Sequence, residues 1–352
     1  MRTQIFVMTH KRFDSPLDTT YVPLHVGRAL GQDLGYMGDD TGDSISDLNP
    51  YYGELTGLYW LWKNNREIDL IGICHYRRYF LNEKRGFMTK EQYETALEEV
   101  DIMVSNAMYA DGPYKDYYGQ NHNILDLIQA GEVIKELFPQ DYKAFCDVIN
   151  ARKYYYGNLC VMRKSLFDQY CEWLFAIFFE LQKRVDVSGY DDYHKRLFGF
   201  LSEELLLVYI VARGLRVKEG TIGLVAEKAE TVEFKLAMGQ LVKLGRFSEA
   251  REMFYEYLKL RPDIRLELSD VRHEIPDIEL ILYILEQERA LKEEGFYRVS
   301  KELKDLILHL RRLQEIIRKQ VGNQMLSKEE EQYLIDTYTT ELAKEIIRIN
   351  LF

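Results

Sequence analysis

The stretch "DLIGICHYRRYF", residues 69–80, joins an apolar run to a cluster of polar and aromatic residues. A continuous apolar run of this kind is typical of a central parallel strand that is covered on both faces. The run ends in His75, Tyr76, Arg77 and Arg78. Ligands of open parallel sheets bind in the crevice beyond the carboxyl ends of the strands, so these four residues are predicted to line such a crevice.

Two arginines at such a crevice point to an anionic ligand. Arg77 and Arg78 offer fixed, bidentate donors that match phosphate oxygens, and they stay charged when partly desolvated. With His75 and Tyr76 they would suit a diphosphate, including the charge on a departing one. The alternative is a pair of surface arginines that form salt bridges with the acidic residues of the chain, and the residue pattern alone favours neither interpretation.

Three further apolar runs predict strands, namely "QIFVMTHK", "VDIMVS" and "YYGNLCVMR" at residues 4–11, 100–105 and 155–163. Residues 48–65 carry apolar side chains at helical spacing, with Asn49 as a cap and Pro50 in the first turn. Residues 165–185 form a strongly apolar helical pattern that we expect to pack on the sheet. Strands that alternate with helices predict an α/β fold with a mostly parallel sheet flanked by helices.

The last third of the chain has a different character. From about residue 229, helical patterns rich in Leu, Glu, Lys and Arg run to the end. The sequence therefore predicts two domains, 1–228 and 229–352, of which the second is all-α. Residues 302–321 and 329–352 predict amphipathic helices of a helical add-on domain. Homo-oligomerisation or docking on a membrane surface is the alternative role for these helices.

Residues 238–263 resemble one tetratricopeptide-type helical hairpin, with Gly245 at the turn and Pro262 closing the second helix. A repeat array needs three or more such units, so the sequence predicts a single hairpin.

Composition excludes several function classes. With 57 acidic and 46 basic residues the net charge is −11, which argues against general binding of nucleic acid. The cysteines lie in apolar runs without CxxC spacing and are interpreted as reduced, buried thiols; they are Cys74, Cys146, Cys160 and Cys171. No signal peptide or membrane span is predicted. The chain is expected in the cytoplasm, free or peripheral at the cytoplasmic face of the inner membrane.

Two polar segments near the N-terminus are candidate binding elements. Thr9, His10 and Lys11 end the first predicted strand, where a nucleotide base or ribose could be held. The segment "GDDTGDSISDLNP", residues 38–50, is dense in acids. Its spacing does not complete a calcium loop, because no bidentate Glu follows at the required place. It is interpreted as a structured loop that borders the site, with a metal cage as the alternative.

The segment "FGFLSEELLLVYI", residues 198–210, places Ser202, Glu203 and Glu204 at the predicted start of an apolar helix. A serine cap with acids in the first turn is ordinary helix-start chemistry. A carboxylate at an α/β crevice is also what a general base requires.

These segments occur together in one bacterial family. The chain resembles capsular and exopolysaccharide biosynthesis proteins that are catalogued as a domain of unknown function and regarded as glycosyltransferases. The likeness covers residues 3–215 and rests on "VMTHK", "DDTGDSISDLNPYYGELTGLYWLWKN", "IGICHYRRYF", "GNLCVMRKSLFDQYCEWLF" and "RLFGFLSEELL". It implies a GT-A-like (Rossmann-like) nucleotide-sugar fold and transfer of galactofuranose from a UDP donor.

The resemblance also implies roles for the donor site. Thr9, His10 and Lys11 would flank the uridine, and Asp40 would belong to the same donor-binding set as Tyr76. The turn His75–Arg78 stands where many GT-A enzymes carry an Asp-x-Asp metal motif. We expect Arg77 and Arg78, with His75, to neutralise the UDP diphosphate in place of a metal. Mg²⁺ or Mn²⁺ bound with the UDP-sugar is the alternative.

For the acceptor side, the resemblance implies that Glu203 is the base that deprotonates the acceptor hydroxyl. Relatives carry Arg at the next position, so Glu204 is a departure that would alter acceptor contacts, and it could raise the pKa of Glu203. Asn158 and Arg196 are expected in the vicinity of the acceptor or the sugar.

The predicted function is an inverting, metal-independent glycosyltransferase that uses UDP-galactofuranose in the synthesis of a cell-surface polysaccharide. Its acceptor would be a growing, lipid-linked glycan. The alternative is a non-catalytic module whose nucleotide-sugar fold and helical tail recruit partners of a polysaccharide-assembly complex. A retaining mechanism is a third possibility, because stereochemistry depends on site geometry.

Overall fold

The computed structural model describes residues 1–225, 227, 229–261 and 270–351. The chain forms two compact units, Met1–Val225 and Ala226–Phe352.

In the part of the chain that the structure describes, the first unit holds one nine-stranded sheet and one two-stranded sheet. The strands are β1 Thr3–Thr9, β2 Tyr21–His25, β3 Met37–Gly38, β4 Leu70–His75, β5 Arg78–Phe80, β6 Ile102–Ser105, β7 Met108–Tyr109, β8 Lys153–Tyr154, β9 Cys160–Arg163, β10 Val217–Gly220 and β11 Ile222–Leu224. The large sheet has the order β10-β6-β9-β4-β1-β2-β3, with β5 paired to β4 and β11 to β5. Strands β7 and β8 form the small sheet.

Most of the large sheet is parallel, which confirms the predicted fold class. Strand β1 runs parallel to β2 and β4, β2 to β3, and β6 to β10. Strand β9 lies antiparallel between β4 and β6. The four predicted strands are present as β1, β4, β6 and β9, and the sequence did not show that β9 reverses direction.

The helices of this unit cover the sheet. They are α1 Asn49–Tyr52, α2 Leu55–Asn64, α3 Lys90–Ala96, α4 Tyr114–Asn121, α5 Ile124–Leu137, α6 Tyr142–Asn150, α7 Lys164–Leu181 and α8 Leu197–Arg213. The apolar helix α7 packs on β4 and β9. Its fully buried Phe175 and Phe178 belong to the largest core cluster, together with Ile71 and Ile73 of β4. Leu70 and Cys74 of β4 belong to a separate cluster, so successive residues of β4 serve opposite faces.

Two predictions about helix starts are wrong. The predicted single helix over 48–65 is interrupted at Gly53, whose backbone has φ 56° and ψ −132°. Asn49 is not a cap but the first residue of α1, and its side chain donates to the carbonyl of Gly53 and the hydroxyl of Thr56. Helix α8 begins at Leu197, so the "SEE" acids lie within the helix rather than at its cap.

The second unit is helical over its described residues. Its helices are α9 Ala229–Lys243, α10 Phe247–Leu260, α11 Ile275–Ala290, α12 Gly295–Val299, α13 Leu303–Val321, α14 Lys328–Asp336 and α15 Glu341–Asn350. Helices α9 and α10 pack together around a turn at Gly245, which has φ 69°. Pro262, predicted to close this hairpin, lies outside the described residues. Across those residues, every helix is too short or too polar to cross a bilayer.

Candidate active site

The carboxyl ends of β1, β2, β3 and β4 meet at one edge of the large sheet. In the sheet register Met8 lies opposite His75, Thr9 opposite His25, and His25 opposite Gly38. The Thr-His-Lys segment, the His-Tyr-Arg-Arg turn and the Asp-rich loop therefore emerge at the same edge. His25 lies in the middle of this edge and is buried. Sequence reasoning missed it because the short strand β2 has no clear apolar pattern.

The His-Tyr-Arg-Arg segment forms a tight turn. Tyr76 and Arg77 connect β4 to β5, and His75 pairs with Arg78 across the turn. Arg77 and Arg78 are buried, with 7% and 5% of their surface exposed. The interpretation of these residues as surface arginines is therefore wrong. The hairpin between β4 and β5 places two guanidinium groups inside the protein, directly at the end of the central strand.

Arg78 is held by the loop that precedes β9. Its guanidinium lies 4.8 Å from the centre of the Tyr156 ring and donates to the Tyr156 hydroxyl at 3.4 Å. Gly157 leaves room for it, because a Cβ there would lie 2.8 Å from Nη1 of Arg78. Nε of Arg78 is buried and has no hydrogen-bond partner among the described residues. A buried guanidinium with a spare donor is suited to hold an anion.

His75 faces the same side of the sheet as Ile71 and Ile73, two and four residues before it in β4. Burial lowers the pKa of His75, and nearby Arg78 adds to this effect, while the Glu54 carboxylate opposes it. Burial therefore favours the neutral imidazole, and the fixed positive charge of the turn comes from the arginines. Nε2 of His75 is buried without a hydrogen-bond partner in the described part of the chain.

A carboxylate that the sequence analysis missed, Glu54, lies on the His75 side of this turn. Asn158 donates from Nδ2 to Oε1 of Glu54 at 2.8 Å, to the Ser202 hydroxyl at 2.7 Å and to the Gly199 carbonyl at 3.3 Å. Burial favours the neutral form of Glu54, but His75, Arg196 and Asn158 outweigh it and lower the pKa of that carboxyl. The network thus joins the α1–α2 junction, the loop before β9 and α8 around an ionised carboxylate.

Unusual backbone conformations build this network. Gly53, immediately before Glu54, has φ 56° and ψ −132°, a region that side chains disfavour. Gly157 and Asn158 have φ 90° and φ 52°. Left-handed backbone at a non-glycine residue costs free energy and is concentrated at functional sites. The Gly-Glu dipeptide at 53–54 was the available sequence signal, but a periodic helix pattern over 48–65 obscured it.

The Thr-His-Lys segment surrounds Tyr76. The Thr9 hydroxyl donates to the Lys11 carbonyl at 2.5 Å and accepts from the Lys11 amide, so Thr9 shapes the turn. His10 contacts the edge of the Tyr76 ring at 5.6 Å, and Nζ of Lys11 lies 5.6 Å from the same ring. Arg77 lies 5.5 Å from its centre. Tyr76 therefore connects the two segments that the sequence analysis placed at the nucleotide.

Three acids of the Asp-rich loop, Asp39, Asp40 and Asp43, have partners within the protein. Asp39 is fully buried and accepts hydrogen bonds from the amides of Gly27 and Arg28. Asp40 forms a 2.7 Å ion pair with Arg28, which lowers the pKa of that carboxyl. Asp43 accepts from the Tyr59 hydroxyl at 2.9 Å. These contacts favour the structured-loop interpretation, and they give no support to the predicted donor contact of Asp40.

No three His, Cys, Asp or Glu side chains are grouped to hold a metal ion in the ranges that the structure describes. Asp39, Asp40 and Asp43 already have protein partners, so this loop in its present arrangement does not fit a metal ion.

Glu203 and Glu204 lie in α8 in different surroundings. Glu203 is partly exposed, and its charge raises the pKa of Tyr114, Tyr117 and Tyr154, although burial of those rings is the larger cause. Glu204 is fully buried, and both of its carboxylate oxygens lack a hydrogen-bond partner among the described residues. Burial first, and then the Glu203 charge, raise the pKa of Glu204 well above its ordinary value.

Arg196 is exposed just before α8. Its guanidinium lies 6.0 Å from the centre of the Phe200 ring, and its Nη2 would lie 3.7 Å from a Cβ on Gly53. Among the predicted sugar-side residues, the structure thus brings Arg196 and Asn158 to Glu54, whereas Glu203 faces the tyrosines and Glu204 lies beneath the surface.

Comparisons with known proteins agree with this architecture. Residues 4–214 match the family described as a domain of unknown function, DUF4422. The chain belongs to this family. No curated protein matches it. It is also similar to a solved apo structure of WbbM, a bifunctional glycosyltransferase, with 30% sequence identity and a TM-score of 0.61 over 64% of this chain. The likeness covers 46% of the WbbM chain, so this chain spans less than half of that protein.

Proposed function

We propose that this protein is a glycosyltransferase that uses a nucleoside-diphosphate sugar. Its similarity to WbbM, at 30% identity over 64% of this chain, supports this class of reaction. The observation that carries the proposal is the buried Arg77–Arg78 pair at the carboxyl end of β4. Arg78 keeps a buried donor, Nε, without a hydrogen-bond partner among the described residues, and a diphosphate would supply the anionic partner that a buried guanidinium needs.

The finer proposal follows the family resemblance. The donor would be UDP-galactofuranose, with the nucleotide beside Tyr76 and the diphosphate at Arg77 and Arg78. The acceptor would be a growing, lipid-linked glycan at the cytoplasmic face of the membrane. Burial lowers the pKa of His75 and so favours a neutral ring, which would offer a hydrogen bond to the ligand while the arginines supply the charge.

The proposed reaction is a single, inverting displacement without a metal. Glu203 accepts the proton of the acceptor hydroxyl as that oxygen forms its bond to the anomeric carbon. The bond from the anomeric carbon to the phosphate oxygen breaks, and UDP leaves with the electron pair. Fixed cations at the leaving group stabilise the charge that develops there.

The first test is calorimetric titration with UDP, with and without EDTA. We expect micromolar binding that survives EDTA and weakens at least 100-fold in Arg77→Ala/Arg78→Ala, which corresponds to about 2.7 kcal/mol. Arg66→Ala, a change at an exposed arginine of the same unit, is the matched control and should bind as wild type does. Absence of UDP binding by the wild type would favour the scaffold alternative.

The second test concerns Glu203. Glu203→Gln should bind UDP normally and transfer sugar at least 100-fold more slowly, because a general base typically contributes ~10²–10⁴ in rate. Normal transfer by this variant would contradict the assignment of the base.

A further inference from the structure

Three unusual features meet between the arginine turn and α8. Glu54 is an ionised carboxylate within a largely buried network. Oδ1 of Asn158 and Nε2 of His75 are buried polar atoms without hydrogen-bond partners among the described residues. An unsatisfied buried polar atom costs roughly 1–3 kcal/mol, so each calls for an explanation.

Asn158 is held in a conformation in which its amide group donates to Glu54. It is only 4% exposed, and its backbone is left-handed. Its amide nitrogen is used in full toward Glu54, Ser202 and Gly199, while its carbonyl oxygen is left without a partner. A residue chosen for packing alone would avoid both costs. The arrangement instead fixes the Glu54 carboxylate at one position, which is the task of a positioning residue.

The charge state of Glu54 argues against a role as a general base. The Arg196 guanidinium and the Asn158 amide donor favour the ionised form of Glu54 and so make it a weak proton acceptor. A carboxylate that stays ionised is still a strong acceptor of hydrogen bonds from hydroxyl groups.

The position of Glu54 beside the arginine turn, His75–Arg78, indicates which part of the donor it contacts. In a nucleoside-diphosphate sugar the sugar is bonded directly to the terminal phosphate. If Arg77 and Arg78 hold that phosphate, the sugar lies beside the turn, where the charges of His75 and Glu54 interact. The other face of the same turn is occupied by Tyr76 and the Thr-His-Lys segment, which leaves the Glu54 side for the sugar.

We propose that Glu54 binds hydroxyl groups of the transferred sugar, and that Asn158 positions Glu54 for this contact. This inference rests on the proposed function, and it adds a residue that determines which sugar is accepted. His75, with its spare ring nitrogen, lies next to the same sugar and offers one further hydrogen bond.

The test compares binding of UDP with binding of UDP-sugars by calorimetry on the full chain. The probes are UDP, UDP-galactofuranose, UDP-galactopyranose and UDP-glucose. We expect wild type to bind one of these sugars at least 10-fold tighter than UDP. Glu54→Gln should lose that preference and keep its UDP affinity within threefold or bind UDP more tightly, because a negative charge near the phosphates is removed.

Two further variants distinguish loss of the sugar contact from misfolding of the protein. Glu54→Asp keeps the charge but withdraws it by one methylene, so it should lose most of the sugar preference while UDP binds as before. Asn158→Ala should lose the same preference, and adding it to Glu54→Gln should have no further effect, since Asn158 acts through Glu54. A purely structural role of Asn158 would instead lower UDP and UDP-sugar affinity together.

Each outcome has a distinct meaning. A sugar preference that persists in Glu54→Gln, or a wild type that binds all the UDP-sugars no better than UDP, would overturn the assignment of Glu54 and leave the proposed function intact. Failure of wild type to bind UDP would overturn the proposed function itself.

Discussion

The Asp-rich loop and the His-Tyr-Arg-Arg turn are both rich in charge and lie at the same edge of one sheet, yet they differ in how that charge is satisfied. In the loop, Asp39 and Asp40 are matched by backbone amides and by Arg28. In the turn, Arg78 and His75 keep buried nitrogens without hydrogen-bond partners among the described residues. A charged segment that satisfies itself contributes to the fold, whereas one that keeps spare donors is prepared for a ligand.

The largest effect on stability is expected from Asp39→Ala. The change removes the acceptor of the buried Gly27 amide, the half-buried Arg28 amide and the buried Ser46 hydroxyl, and a buried donor left unpaired costs roughly 1–3 kcal/mol. We expect the free energy of unfolding in urea to fall by about 3 kcal/mol. Asp47→Ala, an exposed acid of the same loop, is the control and should change it by less than about 0.5 kcal/mol. If Asp39→Ala is as stable as wild type, the charges of the loop do not stabilise the fold, and that part of the comparison is wrong.

Arg78→Met tests the second part of the comparison, namely that the turn is prepared for a ligand. It removes a buried charge and keeps the side-chain volume, so the free energy of unfolding should change by less than about 1 kcal/mol or increase. UDP affinity should fall at least 100-fold in calorimetry, while Arg66→Met binds UDP normally. If Arg78→Met instead unfolds at low urea with UDP binding intact, the turn is structural like the loop.

Glu204 tests whether a buried carboxyl group without hydrogen-bond partners always indicates a ligand site. It has no exposed surface, so we expect only a cost in stability. Glu204→Leu should raise the free energy of unfolding at pH 7 by about 1–2 kcal/mol. Burial raises the pKa of Glu204 in the folded state above the unfolded value, so wild type loses stability as pH rises above about 4.3.

The gain in Glu204→Leu should therefore be larger at pH 7 than at pH 4.5 in urea titrations. Glu172→Leu, at an exposed position of α7, is the control and should change the free energy of unfolding by less than about 0.5 kcal/mol. A Glu204→Leu protein that is less stable, or that no longer transfers sugar, would show that this carboxyl has a functional partner.

The smallest effect is expected from Asp40→Asn. The pair with Arg28 is about one quarter exposed on each side, so its loss should cost less than about 1 kcal/mol. Arg28 lowers the pKa of Asp40, so the contribution of the pair is present above about pH 3.9 and is lost as pH falls further. UDP affinity should stay within twofold in calorimetry, and a 10-fold decrease would instead place Asp40 in the donor site.

Much of the α/β unit was predictable because its strands are apolar runs bounded by polar residues. The runs at β1 and β4 end in Thr9 and His75, so their polar neighbours could be placed at one edge from sequence alone. The direction of β9 could not be predicted, because an apolar run does not state which way it enters a sheet. The same limit concealed Tyr156 and Asn158, whose positions depend on that reversal.

The other features that could not be predicted are local exceptions to a regular sequence pattern. Apolar spacing over 48–65 predicts one helix, and only the backbone at Gly53 shows that the helix breaks and directs Glu54 inward. Likewise, "SEE" is a common helix start, but α8 begins five residues earlier because Leu197 and Phe198 are already core residues. Pattern reasoning finds the fold, whereas residues that depart from the pattern form much of the site.

The antiparallel entry of β9 between β4 and β6 also constrains the order of folding. Strands β1, β2 and β4 come from the first 75 residues and can pair as soon as these exist. Strands β6 and β10 cannot join the sheet until Cys160–Arg163 has been inserted, a contact between distant parts of the chain. The loop with Asn158 arrives in the same step. A growing chain that stops before β9 would therefore carry the arginine turn without the partner that fixes Glu54, and completion of the sheet and assembly of the site are one event.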